Sequence, residues 1–368
     1  MGPGVRTIQW HLSQLQPRSS FADDELLQIL LDLGEWLHQR DYRGPELASS
    51  APHHQLSTSL AFSLAGWLNL HRLLGESRYL ERAGYCLTRI LEAQTSAGTW
   101  LFPYPFRNNP ADFPYSCENL MTLRALLSYA TTVGETQEIA ISIRAGLDFM
   151  EQEIGFEHGI VWYSSADHII VPNVSSLAAN VYARAARLFS EGPLLDRARE
   201  FAGSCVDAQA GSGAHPYFGG EEMVYMPYHA LETWELIEAN EILADPRIIQ
   251  STDRAIAYSS DFLSHYGYAS TNRNPSASSM RLFKTPVWVA RSYALHGNRD
   301  LAQAHLSNAW RQYNRPGREM AFYTIRQLAL GPLKLSLPDF AAVFTRYNAS
   351  FFEVGTNLLL GRLEPSHA

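Results

Sequence analysis

"RAGYCLTRILEAQTSAGTW", residues 82 to 100, decides how this chain is read: it runs as a helix to Gln94, breaks at Gly98 and closes on Trp100. A similar sentence returns as "RAGLDFMEQEIGFEHGIVW" (144 to 162), with Gln152, Gly159 and Trp162. It returns again as "RAREFAGSCVDAQAGSGAHPYF" (197 to 218), with Gln209, Gly213 and His215. An interval of about 57 residues is the length of a helical hairpin plus a long loop, so the chain is read as a repeat of that unit.

Between these sentences lie helical segments of another kind, such as "LSTSLAFSLAGWLNLHRLLGE" and "NVSSLAANVYARAARLFSE", with small and apolar residues around most of the circumference. A helix that is apolar all round is buried, and one with a charged face lies outside. This sorting predicts inner helices starting near 57, 118, 173, 226, 283 and 350, and outer helices starting near 22, 78, 137, 195, 247 and 299. The expected fold is all-α: a single (α/α)6 toroid of six helical hairpins over residues 22–365, preceded by an N-terminal arm at 1–21. Gly-Glu-Ser-Arg at 75–78 and Gly-Asn-Arg-Asp at 297–300 supply the left-handed stop and polar restart of tight αα turns. The long loops all run from an outer helix back to an inner one. They are therefore expected at one end, where "LFPYPFRNNPADFPYS" (101 to 116) would roof and line a central cavity with its aromatics.

Composition narrows the partners. Of 368 residues 46% are hydrophobic and 18% charged, which allows a large core. A net charge of −8 without a basic run excludes a nucleic-acid partner, because phosphate affinity rests on clustered Lys and Arg. The longest apolar stretch, "LAFSLAGWLNL" (60 to 70), is too short to span a bilayer, and "MGPGVRTIQWHLSQLQ" lacks the sections of a signal peptide, so a cytoplasmic location is expected. Cys86, Cys117 and Cys205 show no CxxC spacing and are read as structural thiols.

The Gln-x3-Gly-x-Trp ending at 94–100 resembles the QW-type repeat of terpenoid cyclases and protein prenyltransferases. "WLHQRDYRGPE" (36 to 46), "VPNVSSLAANVYARAARL" (171 to 188) and "YHALETWELIE" (228 to 238) resemble bacterial prenyltransferase-like toroid proteins linked to polysaccharide or natural-product gene clusters. The resemblance implies the toroid fold. The aspartate-rich and zinc motifs of those enzymes are missing, and Asp23, Asp24 and Asp167 do not replace them. No metal or other cofactor is therefore expected. Glycosidases and epimerases of the six-hairpin barrel type share the length, with aromatic-walled clefts and a few carboxylates.

Candidate chemistry collects in the loops. Asp167 and His168 in "WYSSADHIIVPN" stand just before the inner helix at Asn173, where an acid beside an aromatic wall can donate protons. His229 and Glu232 share a helix face by their spacing, so the carboxylate can orient the imidazole as a base. Asp112 completes the candidate acids. Arg107 suits a clamp on a substrate anion. Trp100, Tyr104, Tyr115, Trp162, Tyr217, Tyr228 and Trp288 offer ring faces, with Asn173, His215 and Lys284 as polar contacts. His53, His54, His168, His215 and His229 match no metal-ligand spacing. The functional expectation is acid/base chemistry on a small organic or oligosaccharide substrate, of lyase, hydrolase or epimerase type. A terpenoid or polyketide-chain cyclase and a non-enzymatic glycan- or partner-binding toroid are the alternatives. The sequence leaves the oligomeric state open.

Overall fold

The computed structural model describes residues 20–42, 56–106, 108–217, 223–268, 271–272, 284–313 and 337–363. Their helices are α1 (Asp23–Tyr42), α2 (Ser57–Leu74), α3 (Ser77–Ala93), α4 (Ser116–Thr132), α5 (Gln137–Phe149), α6 (Pro172–Phe189), α7 (Gly192–Ala208), α8 (Met226–Leu243), α9 (Pro246–Tyr266), α10 (Lys284–Leu295), α11 (Arg299–Tyr313) and α12 (Leu337–Leu363). The alternation expected from burial pattern holds. In α2 every position from Ser57 to Leu70 except Ala65 and Asn69 is buried, whereas α3 buries only the stripe Tyr79, Ala83, Cys86, Leu87 and Ile90. Between them Gly75 takes φ 72° and its N–H closes on His71 O. Two of the long loops carry short antiparallel ladders, β1 (Leu101–Phe102) with β2 (Phe113–Pro114) and β3 (Phe156–Glu157) with β4 (Ile160–Val161).

By compactness the chain forms two units, each assembled from separated stretches of sequence. One holds Ala22–Gly155, Tyr163–His168 and Arg311–Ala368. In it α12 packs on α1 and α2. The ring of Phe352 lies 4.9 Å from Trp67 and against Gly34 and Gly66, where any side chain would strike it. Arg124 of α4 and Glu353 of α12 pair at 3.1 Å, both almost fully buried.

The other unit holds Met1–Phe21, Phe156–Trp162 and Ile169–Trp310. Here α8 packs on α6, α9 and α10. A buried ionic network ties three of these helices together: Asn180 donates to Glu235 and Glu238, Arg184 donates to Glu238 at 2.9 Å, and Arg291 reaches Glu238 while lying 3.8 Å over the Trp234 ring.

The repeated sentence is a packing device. Gln94 Nε2 donates to Gly98 O and to Ser142 O of the next outer helix, and Gln209 Nε2 does the same to Gly213 O and Ser251 O. Gly213 takes φ 88° and presses on that helix: a Cβ would stand 2.5 Å from Arg254 O. Gln152 does not repeat the role. It lies exposed in the π-helical turn Met150–Ile154, and Ser204 Oγ donates to Gly159 O instead. Two residues beyond each glycine, a main-chain N–H is caught by the fourth residue of the following inner helix. Trp100 N donates to Asn119 Oδ1, Val161 N to Ser175 Oγ, and His215 N to His229 Nδ1.

Candidate active site

That register gives His229 a structural part. Because Nδ1 accepts from His215, the ring proton sits on Nε2, which faces Ala255 O and Ser259 Oγ, each at 3.1 Å. The imidazole is 1% exposed, and burial, then the neighbouring His215, push its pKa down to about 3. Both nitrogens are engaged and the ring stays neutral. Glu232 does not orient it: its Oε1 lies 3.2 Å from His215 Nδ1. Glu232 thus stands beside His215 and not, as expected, in a pair with His229, and all three side chains are interior.

The aromatic stretch within 101–116 packs largely on itself. Tyr115 meets Phe102, Phe106, Phe113 and Tyr163 at ring centroids 5.4–5.8 Å apart. Edge and tilted contacts of this kind add to the short β1–β2 ladder in holding the loop. Trp100, Tyr104 and Tyr115, expected as substrate contacts, are at most 3% exposed, and the Trp100 indole donates to Ile90 O. They are core pins. Phe102, Phe106, Phe113 and Tyr163 are the half-buried members of the cluster.

Asp167 stands against this cluster. Asn109 Nδ2 donates to its carboxylate at 3.2 Å and to Tyr115 Oη at 3.1 Å, and Ser164 Oγ accepts from the Asp167 N–H. The carboxylate is half-buried and fixed in orientation by a residue from the aromatic loop. His168 is exposed, and Asp112 is an exposed turn residue at φ 57°. Neither is brought to Asp167 by a described contact. Arg107, His53, His54 and the side chain of Lys284 lie outside the described residues.

In the other unit Tyr217, Tyr225 and Tyr228 form a half-buried ring stack. Tyr217 and Tyr228 lie 4.9 Å apart at 12°, Tyr225 and Tyr228 5.2 Å apart at 26°, and Trp288 closes the stack from within at 6.2 Å. The loop before α8 and the first turn of α8 supply the tyrosines. Trp162 is half-buried and bridges to Ile170, while Asn173 is buried at the start of α6.

Sequence reasoning passed over Glu118. It lies 3% exposed in the first turn of α4 and accepts from Ser57 Oγ and Thr58 N at the start of α2, both at 3.0 Å. Arg346 Nη1 stands 3.9 Å from its other oxygen. The available signal was an acid in the first turn of a helix whose one other charged residue is Arg124. Among the described residues no group of three or more His, Cys, Asp and Glu is placed to hold a metal ion, and no helix is long and apolar enough to cross a membrane.

No protein-family model and no curated protein matches the sequence. Solved structures do resemble it. The cellobiose 2-epimerase of Spirochaeta thermophila aligns at TM-score 0.58 and 14% identity, over 92% of this chain and 98% of that one. An unsaturated glucuronyl hydrolase specific for heparin aligns at 0.58 and 9%, over 91% and 97%. A polysaccharide lyase aligns at 0.58 and 10%, over 92% and 99%. At these identities the likeness shows the fold: an all-α toroid of the (α/α)6 class.

Proposed function

We propose that this chain is a saccharide-acting enzyme of epimerase, hydrolase or lyase type, with Asp167 as its proton-transferring group. The observation that carries the reading is the Asp167 carboxylate held by Asn109, which also donates to Tyr115 of the ring cluster with Phe106 and Tyr163. A carboxylate fixed beside aromatic rings can move a proton on a sugar whose apolar face lies on those rings. The Tyr217, Tyr225 and Tyr228 stack is assigned a saccharide-binding part of its own. Support comes from the fold neighbours, a cellobiose 2-epimerase, an unsaturated glucuronyl hydrolase specific for heparin and a polysaccharide lyase.

The test is a screen of the full chain against cellobiose, unsaturated uronyl disaccharides and acidic polysaccharides, with products read by NMR. Asp167→Asn is expected to lower kcat by about 100-fold or more with an unchanged Tm, the range for loss of a general acid or base. Tyr228→Ala is expected to raise KM more than it lowers kcat. Saccharide turnover undisturbed by Asp167→Asn removes the assignment. The half-buried hydrocarbon rings of Phe102, Phe106 and Phe113 favour, as a second reading, a cyclase of an isoprenoid or polyketide-like chain. Turnover of such a chain with none of any saccharide selects it.

A further inference from the structure

The third copy of the repeat differs from the first at one interior place. In the first copy the Trp100 indole fills the junction of an outer helix, the next inner helix and the next outer helix. It donates to Ile90 O and packs beside Leu123 and Gly146. The repeat register places His215 where Trp100 stands, Cys205 for Ile90, Thr233 for Leu123, Glu232 for Thr122 and Ala255 for Gly146. The first three exchanges remove more side-chain atoms than the last two add. An apolar plug has become a smaller polar set.

That set is interior and incompletely bonded. His215 and Glu232 are each 2% exposed and Cys205 is 1% exposed. Neither His215 Nδ1, His215 Nε2 nor Glu232 Oε1 has a hydrogen-bond partner among the described residues. Nδ1 and Oε1 lie 3.2 Å apart, off the line a hydrogen bond needs. Cys205 Sγ donates to Pro172 O at 3.7 Å, and burial and then the Glu232 carboxylate push the thiol pKa well up, so the thiol remains protonated beside that carboxylate. A buried polar atom left unpaired forfeits its hydrogen bonds to water without replacement, and several such atoms at one point require a bridging group.

We infer that His215 and Glu232 enclose an internal hydration site, in which ordered water between α7, α8 and α9 takes the place that the Trp100 indole fills in the first copy. The conditions for an occupied interior cavity are met: polar walls, two or more partners and space released by the exchange. Water donating to Glu232 Oε1 and joined to the imidazole nitrogens satisfies the orphaned atoms. It also leaves His215 N on His229, so the loop anchor is preserved.

A crystal structure of the full chain, at a resolution that shows ordered solvent, tests this directly. Solvent density within hydrogen-bond distance of both His215 Nε2 and Glu232 Oε1 is expected. A dry site, or a His215 ring turned onto a protein acceptor, overturns it. The double variant H215W/E232T rebuilds the first copy's composition at these positions. Oxygen-17 water relaxation dispersion is expected to show fewer long-lived internal waters in it than in the unsubstituted chain, and an unchanged number counts against the site. Should the variant not fold, the unsubstituted structure still decides.

Discussion

At the fourth position of α8, His229 accepts the main-chain hydrogen bond that Asn119 accepts at the fourth position of α4, and burial ties this anchor to pH. The ring titrates near 6.5 in an unfolded chain and at about 3 in the fold. Below pH 6.5 the unfolded state therefore takes up a proton that the folded state refuses, and stability falls as pH drops towards 3. Burial also holds His305 at about 4 against 6.5, which adds to the loss over the upper part of the same window. Each histidine contributes at most about 1.4 kcal/mol per pH unit there. His229→Asn is expected to keep the loop anchor and to make the fall of Tm between pH 6.5 and 4.5 shallower. An equal slope in variant and parent would show that the imidazole is not the group responsible. Little of this was legible beforehand: the spacing placed His229 and Glu232 on one face, but only the fold shows that the face meets a loop amide and a second histidine.

At the scale of elements, punctuation made most of the fold readable. Helix starts fell within a few residues of expectation because glycine stops and a 3.6-residue apolar period both leave marks in the sequence. The last inner helix is the exception, beginning at Leu337 where a start near 350 was expected, with Pro338 in the first turn, where proline is tolerated. The repeat held where Gln and Gly are four residues apart and failed at Gln152, where the interval is longer and a π-helical turn intervenes. Gly213→Ala is expected to lower stability by about 2 kcal/mol or more, because a Cβ meets Arg254 O while φ stays at 88°. Gly192→Ala, which meets nothing, is the control and should melt like the parent. Charges such as Glu235, Glu238 and Arg291 in apolar helices were not read as a network, because their partners come from helices more than 50 residues away. Asp167 was legible as an acid in a loop. Its partner Asn109, 58 residues earlier, was not.

For the whole molecule, the controlling fact is that both compact units draw on stretches far apart in sequence. The unit that begins at Ala22 is completed only by α12, whose Phe352 is fully buried against Trp67 and two glycines. Phe352→Ala is expected to cost about 3–5 kcal/mol, read as a lower urea midpoint. Removal of residues 337–368 is expected to abolish cooperative melting of that unit, and retention of a sharp transition would show that α1 to α5 stand without α12. The same arrangement bears on biosynthesis. Asn69 and its hydrogen-bond acceptor Thr356 are 287 residues apart, so at roughly 5–20 residues per second the ribosome leaves the first-made helices without their last neighbour for tens of seconds. A nascent chain must therefore shield an apolar slot until α12 has been made.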